Sequence, residues 1–275
     1  MAVIVAVGQM TSGSDKEVNL SKIEKIVAKA RARQAKFLSL PENCVYFGNN
    51  HDAFRMAEPL NGESIKFISD LAQKNKMWIS VGGFQEQIAG EKKFYNSHVL
   101  IDDKGIIVEV YRKIHLFSVS LPDGSTYRED SSVRPGKAIV CHQTPFFKVA
   151  LSICYDIRFS YLYWALRNMG AQVILVPAAF TDTTGKAHWE ILCRARAIET
   201  QSYVLAAAQS GYHENNRVTY GHAVIVDPWG TLIAQCGNNN DIACAEIDLE
   251  YLKNIRTQVP IEHQQRSLDN GQQKI

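Results

Sequence analysis

Three residues of the 275 in this chain could together make and break an acyl bond: Glu42, Lys113 and Cys154. They stand in the segments LPENC, YRKIHLF and ICYDIRF. A thiolate is a strong nucleophile, but an ordinary cysteine is mostly protonated near neutrality and must first lose its proton. A carboxylate beside it can take that proton and pass it to a departing amine. A buried ammonium can hold the charge that develops on the carbonyl oxygen. Each residue also has a plainer reading. A free cysteine closing an apolar run such as VALSIC is often a small buried hydrophobe. A glutamate after a strand is often a solvated loop residue, and a lysine after a hairpin usually points into water. No histidine is favoured as the base of a papain-type pair; His115 and His142 are near in sequence only.

The elements around these residues give them a common place. FLSL precedes Glu42, VEVYR precedes Lys113 and VALSI precedes Cys154, so each follows an apolar run that reads as a strand. In layered α/β folds ligand sites collect at the carboxyl ends of strands. Val3–Gln9 reads as the first strand. VNLSKIEKIVAKARAR then reads as a helix with Val18, Ile23, Ile26, Val27 and Ala30 on one face. ESIKFISDLAQKN is a second helix, MWISVGGFQE a strand, and YNSHVLIDDKGIIVEVYR a hairpin turning at Asp-Asp-Lys-Gly. RFSYLYWALRNMG is a helix closed by Gly170, and HWEILCRARAIETQ another helix. AQVILVPAAF, SYVLAAAQ and ACAEIDL read as strands, and HAVIVDPWGTLIAQC as a second hairpin. About ten strands and four or five helices, alternating but interrupted by hairpins, predict mixed sheets facing each other with helices outside. With no repeat, low-complexity tract or linker, one domain is expected.

Several functions lack the residues they need. The net charge is +2 with both signs interspersed, so no clustered basic face offers itself to nucleic acid. KIVAKARARQAK reads as the solvated side of a helix. PGK at 135–137 and TTGK at 183–186 lack the spacing of a phosphate loop, HWE lacks a second histidine, and no Gly-x-Ser-x-Gly elbow occurs. No metal-ligand spacing is present, and no metal or cofactor is expected. The opening MAVIVAVGQ has no basic leader, and its apolar run is too short to span a bilayer. The six cysteines form no CxxC pair and are expected to be reduced. A cytoplasmic protein without membrane contact is expected.

LPENC, YRKIHLF and ICYDIRF resemble the three signature segments of the nitrilase superfamily, the carbon–nitrogen hydrolases. GGFQE, YNSHVLID, GKAHWEILCRARAIETQSYVLAAAQ, YGHAVIVDPWGT and EIDLEYL resemble its Nit branch, in order. The resemblance implies a four-layer αββα sandwich over residues 1–266, two mixed sheets facing each other, with a polar tail at 267–275. It implies Glu42 as general base, Lys113 as oxyanion stabiliser and Cys154 as a nucleophile exposed for attack. Glu129 would be a second site glutamate, with Asp130 as the other reading, and the N–H of Tyr155 would complete the oxyanion hole. Within the branch the sequence is most similar to amidases acting on deaminated glutathione, which release α-ketoglutarate and cysteinylglycine. An ω-amidase acting on α-ketoglutaramate is the alternative, and a nitrilase acting on nitriles ranks below both. A nitrilase-fold binding module without activity is the alternative of another class. The resemblance also implies a homodimer or larger homo-oligomer, paired through the helix after Cys154. Arg158 lies four residues past Cys154. It can offer a two-pronged donor to a substrate carboxylate, or else brace Glu129 or Asp156.

Overall fold

The computed structural model describes residues 3–264 and 266, except 123, 215, 216 and 240; the expected tail at 267–275 lies outside them. In the first sheet β1 (Val3–Met10), β2 (Phe37–Leu40) and β3 (Trp78–Gln87) run parallel. β4 (Phe94–Ile101) and β5 (Ile107–Arg112) continue it antiparallel, and the hairpin β6 (Ser118–Ser120) and β7 (Thr126–Arg128) stands apart. The second sheet contains β8 (Val140–Gln143), β9 (Lys148–Leu151), β10 (Val173–Leu175) and β11 (Tyr203–Ala206), with β9, β10 and β11 parallel. β12 (Ala208–Tyr212) and β13 (Val218–Tyr220) return to the first sheet, where β12 pairs with the end of β1. β14 (Val224–Val226) and β15 (Leu232–Gln235) close the second sheet, and β16 (Asp241–Ile247) lies antiparallel along β1.

Side-chain alternation decides which layer each strand residue meets. On the first sheet Val5, Val7, Phe37, Trp78 and Leu100 face the core shared with the second sheet. Their neighbours Ala6, Leu38, Ile79, Val99 and Ile101 face α1 (Lys16–Ala32) and α3 (Glu63–Asn75). α2 (Asn50–Met56) is a short helix beside β3. Strands buried on both faces read as continuous apolar runs, as VIL in β10 does. Their far side is covered by α4 (Ser160–Asn168), through Leu162, Tyr163 and Leu166, and by α5 (Asp182–Thr200), through Trp189, Cys193 and Ala197. α6 (Leu249–Gln258) and α7 (Ile261–Gln264) follow the last strand. The order of layers is helix, sheet, sheet, helix, as expected.

Several expectations change in detail. Sixteen strands appear among the described residues instead of about ten: the short β6, β7, β8 and β13 lie in segments not read as strands, and one expected strand is split into β11 and β12. Val18 is exposed; its neighbour Asn19 is buried in its place, donating to the carbonyls of Gly13 (2.8 Å) and Val45 (2.9 Å). The helix read at HWEILC starts six residues earlier, at Asp182, because the Thr181 side chain caps it. SYVLAAAQ is not one strand. It ends in the second sheet at Ala206 and resumes in the first at Ala208.

A polar chain crosses between the sheets just behind Cys154. His98 is fully buried, and that burial pushes its pKa from the ordinary 6.5 down to about 4, so the ring is neutral near neutrality. The Ser152 carbonyl can only accept, so His98 Nδ1 carries the proton and donates to it (2.9 Å). Nε2 then accepts from the Ser80 hydroxyl (2.6 Å), which lies 3.2 Å from Ser39 Oγ. A histidine whose folded pKa is depressed contributes stability that is full above about 6.5 and is lost as pH falls toward 4. For His98 that loss is on the order of 3 kcal/mol. The urea midpoint is expected to fall over this window in the wild type. In His98→Asn it should start lower at pH 7 and fall less steeply; an equal slope in both proteins would remove His98 as the cause.

Candidate active site

Glu42 stands two residues past β2, Lys113 directly past β5 and Cys154 three residues past β9. Two come from one sheet and one from the other, and all three line a single pocket with Glu129, Tyr155 and Arg158. The sequence builds each arm differently.

Pro41 ends β2, and a glycine pair in β3 gives Glu42 its space. The β3–β4 register shifts between Val81 and Phe84, at Gly82-Gly83. Gly83 has φ +61°, and a Cβ there would lie 2.5 Å from Glu42 Cγ. A Cβ on Gly82 would collide with Pro177 of the opposite layer. The Glu42 carboxylate accepts from Asn96 Nδ2 (3.0 Å) and Lys113 Nζ (2.9 Å) on Oε1, and from the Ala179 N–H (3.0 Å) on Oε2.

Lys113 is only 2% exposed. Its backbone N–H donates to Asn96 O (2.8 Å), and its carbonyl accepts from the Gly136 N–H (2.8 Å). Gly136 is the glycine of the discarded PGK motif. A Cβ there would collide with the Arg112 carbonyl, so its role is to let one backbone lie on another. The β6–β7 hairpin then brings Glu129 back to the ammonium. Glu129 Oε1 and Oε2 lie 3.1 and 2.9 Å from Lys113 Nζ, and Oε2 accepts from the Phe117 N–H (2.6 Å). Asp130, the other reading, is exposed and bonds Ser118 instead. Burial alone would lower the Lys113 pKa, but the charges of Glu129, Glu42 and Cys154 outweigh it and hold the ammonium well above its ordinary value.

Cys154 opens a 3₁₀ turn, Cys154–Arg158, with φ +47°. A non-glycine residue in that region costs about 1–2 kcal/mol, so something must hold it there. Its N–H donates to Pro177 O (2.9 Å). Asp156, fully buried, accepts from the Ile153 N–H (2.9 Å) and Tyr111 OH (2.7 Å) on Oδ2. On Oδ1 it accepts from the His115 N–H (3.1 Å) and meets His115 Nδ1 at 2.7 Å. One carboxylate therefore ties the Cys154 turn to the segment that carries Lys113. Tyr155 stands in the first turn of this short helix, where backbone N–H groups have no acceptor within the helix. Cys154 is 7% exposed, so the expectation of an exposed nucleophile is corrected: the thiol is reached only through the pocket. Burial first, and then the neighbouring Glu42 carboxylate, push the thiol pKa well above its ordinary value, while Lys113 and the Ala179 N–H pull it down less strongly. At rest the sulfur carries its proton and the carboxylate lies beside it.

Arg158 does not brace Glu129 or Asp156. Its guanidinium donates to His188 Nδ1 (3.2 Å) and lies over the rings of Tyr155 (5.8 Å) and Phe180 (5.4 Å). Cys44 packs away from the pocket lining, under the Gly82 carbonyl. Sequence reasoning missed Asn96, whose two amide protons reach Glu42 (3.0 Å) and Glu129 (2.9 Å). The signal was present: Asn96 and His98 alternate with Leu100 in β4, so two polar residues fall on the strand face that carries a core leucine. It also missed Arg217, which lines the pocket just before β13.

The model of the family described as carbon-nitrogen hydrolase matches residues 4–257. A deaminated glutathione amidase of Dictyostelium discoideum is 42% identical over 266 residues, covering 94% of this chain and 91% of that protein. A nitrilase and fragile histidine triad fusion protein, NitFhit, of Drosophila melanogaster is 43% identical over 268 residues. That match covers 96% of this chain but 58% of the fusion, so the chain spans little more than half of that relative. The crystal structure of the C. elegans NitFhit protein superposes with a TM-score of 0.92 at 37% identity, covering 96% of this chain and 65% of that one. In matched length, identity and layer order alike, the chain belongs to the carbon–nitrogen hydrolase family.

Proposed function

We propose that this chain is a cysteine-dependent amidase that hydrolyses deaminated glutathione to α-ketoglutarate and cysteinylglycine through a thioester on Cys154. The observation that carries the chemistry is the Cys154 thiol beside Glu42, with the buried Lys113 ammonium bonded to the same carboxylate. The substrate is supported by the name of relatives at about 40% identity. Cys154 Sγ attacks the amide carbonyl carbon as Glu42 takes the thiol proton. An ammonium has three donors. On Lys113 one donor goes to Glu42 and one is shared by the two oxygens of Glu129, and the third, with the Tyr155 N–H, receives the oxyanion. Glu42 returns the proton to the departing amine, the C–N bond breaks, and the thioester remains. Water, deprotonated by Glu42, attacks the thioester; the acid leaves and the sulfur regains a proton. Asn96 and Glu129 position Lys113 and Glu42. Arg158, half-buried in the pocket against two aromatic faces, holds the carboxylate at the 2-oxo end.

A second copy of the chain pairs along α4 and α5. Supporting this, Leu162, Tyr163 and Leu166 of α4 face inward, while Tyr161 (64% exposed) and, on α5, Ile191 (69%) face out. No helix among the described residues is long and apolar enough to cross a membrane. The six cysteines are all free thiols, which supports a reducing, cytoplasmic location.

Cys154→Ala is expected to abolish turnover with an unchanged circular dichroism spectrum, and Lys113→Ala to lose about 10²–10³-fold in kcat. Glu42→Gln should be nearly inactive, yet it removes the negative charge that raises the thiol pKa. Thiolate absorbance should therefore appear at lower pH in that variant than in the wild type, and an unshifted titration would separate Glu42 from Cys154. Arg158→Gln should raise KM for a 2-oxo-acid amide about tenfold or more while sparing a short neutral amide; equal losses on both would make Arg158 scaffold. Sedimentation velocity at micromolar concentration should show a dimer or larger species that Ile191→Glu shifts toward monomer.

A further inference from the structure

At the reacting end of the pocket two carboxylates, Glu42 and Glu129, face one ammonium, Lys113, which leaves a net charge of −1. An anionic substrate would be repelled there. Three arginines line the same pocket: Arg128, Arg158 and Arg217. Arg128 is exposed, and one of its nitrogens donates to the carbonyls of Val119 (3.1 Å) and Tyr127 (2.8 Å). Arg158 and Arg217 stand at the two ends of one aromatic wall. The Arg158 guanidinium lies 5.8 Å from the Tyr155 ring, and Tyr155 meets Phe117 edge-on at 5.1 Å. Phe117 meets Tyr127 at 5.1 Å, and the Arg217 guanidinium lies 5.9 Å from Tyr127 and 5.4 Å from Phe47. Every residue of this series lines the pocket.

Arg217 comes from the connection between β12 and β13, just before β13. Burial lowers its pKa, and Tyr127, Glu129 and Glu42 act against that, so its charge is within electrostatic reach of the reaction centre. A guanidinium held over aromatic faces presents its donors at its edge, the geometry that grips a carboxylate. The reaction at Cys154 uses neither this charge nor this end of the pocket.

We propose that Arg217 holds a second carboxylate, the one at the far end of the leaving amine, so that the pocket selects 2-oxo-acid amides of short amines that end in a carboxylate. The substrate then lies along the aromatic wall, its oxo-acid end at Arg158, its scissile carbonyl at Cys154 and its second carboxylate at Arg217. A dipeptide leaving group reaches roughly 7 Å from the scissile nitrogen, whereas ammonia reaches nowhere near. This rests on the function proposed above. It makes Arg217 the residue that distinguishes deaminated glutathione from α-ketoglutaramate.

The test compares three amides of the same 2-oxo acid: deaminated glutathione, its C-terminal carboxamide and α-ketoglutaramate. Wild-type enzyme should prefer the free acid over the carboxamide by about tenfold to hundredfold in kcat/KM. Arg217→Gln should erase that preference through KM, and Arg217→Lys should keep part of it. Arg158→Gln should weaken both long amides and leave their ratio intact, which a general effect on the charge of the site would not do. Equal turnover of acid and carboxamide by the wild type, or an Arg217→Gln enzyme that keeps the preference, would overturn the proposal. A wild-type enzyme that cleaves none of the three amides would overturn the proposed function instead. The grip is then decided by calorimetry with cysteinylglycine and its carboxamide: tighter binding of the acid, lost in Arg217→Gln, upholds it, and equal binding overturns it.

Discussion

The interaction on which the site depends is the burial of one ammonium. Lys113 has lost its water, and a lysine charge without water is tolerated only where anions replace it. Glu42 and Glu129 do so from opposite sides in sequence, one from the end of β2 and one from beyond the β6–β7 hairpin. Asn96 then links the two carboxylates. The positions of all four groups follow from that requirement: remove one carboxylate and the ammonium is left short of charge, remove the ammonium and two carboxylates face each other. In the proposed reaction the same arrangement serves twice, because the carboxylate that balances Lys113 also lies beside the thiol.

A second carboxylate group does for the backbone what Glu42 does for the charge. Asp156 binds the N–H before Cys154, the hydroxyl of Tyr111 and the backbone N–H of His115. It spans the gap between the sheets, one of which delivers the cysteine and the other the lysine. The positive φ of Cys154 is held by this anchor and by the Pro177 carbonyl. Helices α4 and α5 press on the far side of that sheet, so the turn has a packed floor.

Much of this was legible in the sequence, for stated physical reasons. Apolar runs ending at Glu42, Lys113 and Cys154 marked the strand ends, and the family resemblance, not any physical pattern, pointed to Glu129 in YREDSSVRPG. α3 was readable to the residue because its apolar period and its flanks agree. What escaped were features set by distant parts of the chain. Val18 belongs to the apolar face by period, yet the adjacent loop takes Asn19 in its place to satisfy two carbonyls. The glycines of VGGFQE and RPGK look like loop punctuation. Their purpose appears only when Pro177, Glu42 and Arg112 are seen lying against them. Arg217 carries no local signal at all, since its place depends on a strand that changes sheets several residues earlier.

That change of sheet has a wider consequence. Residues Tyr203–Ala206 run between β10 and β14 of the second sheet; after Ala207, Ala208–Tyr212 run between β1 and β13 of the first. Neither sheet can therefore melt by itself, because loss of one pulls a strand from the other. The two behave as one cooperative unit, and partial opening is confined to what hangs on their rim. The thiol sits at the seam of that unit and is reached through the pocket rather than by a parting of the two sheets. Reactants must come and go through the short connections at the mouth, and chemical protection of the cysteine becomes a property of the whole fold.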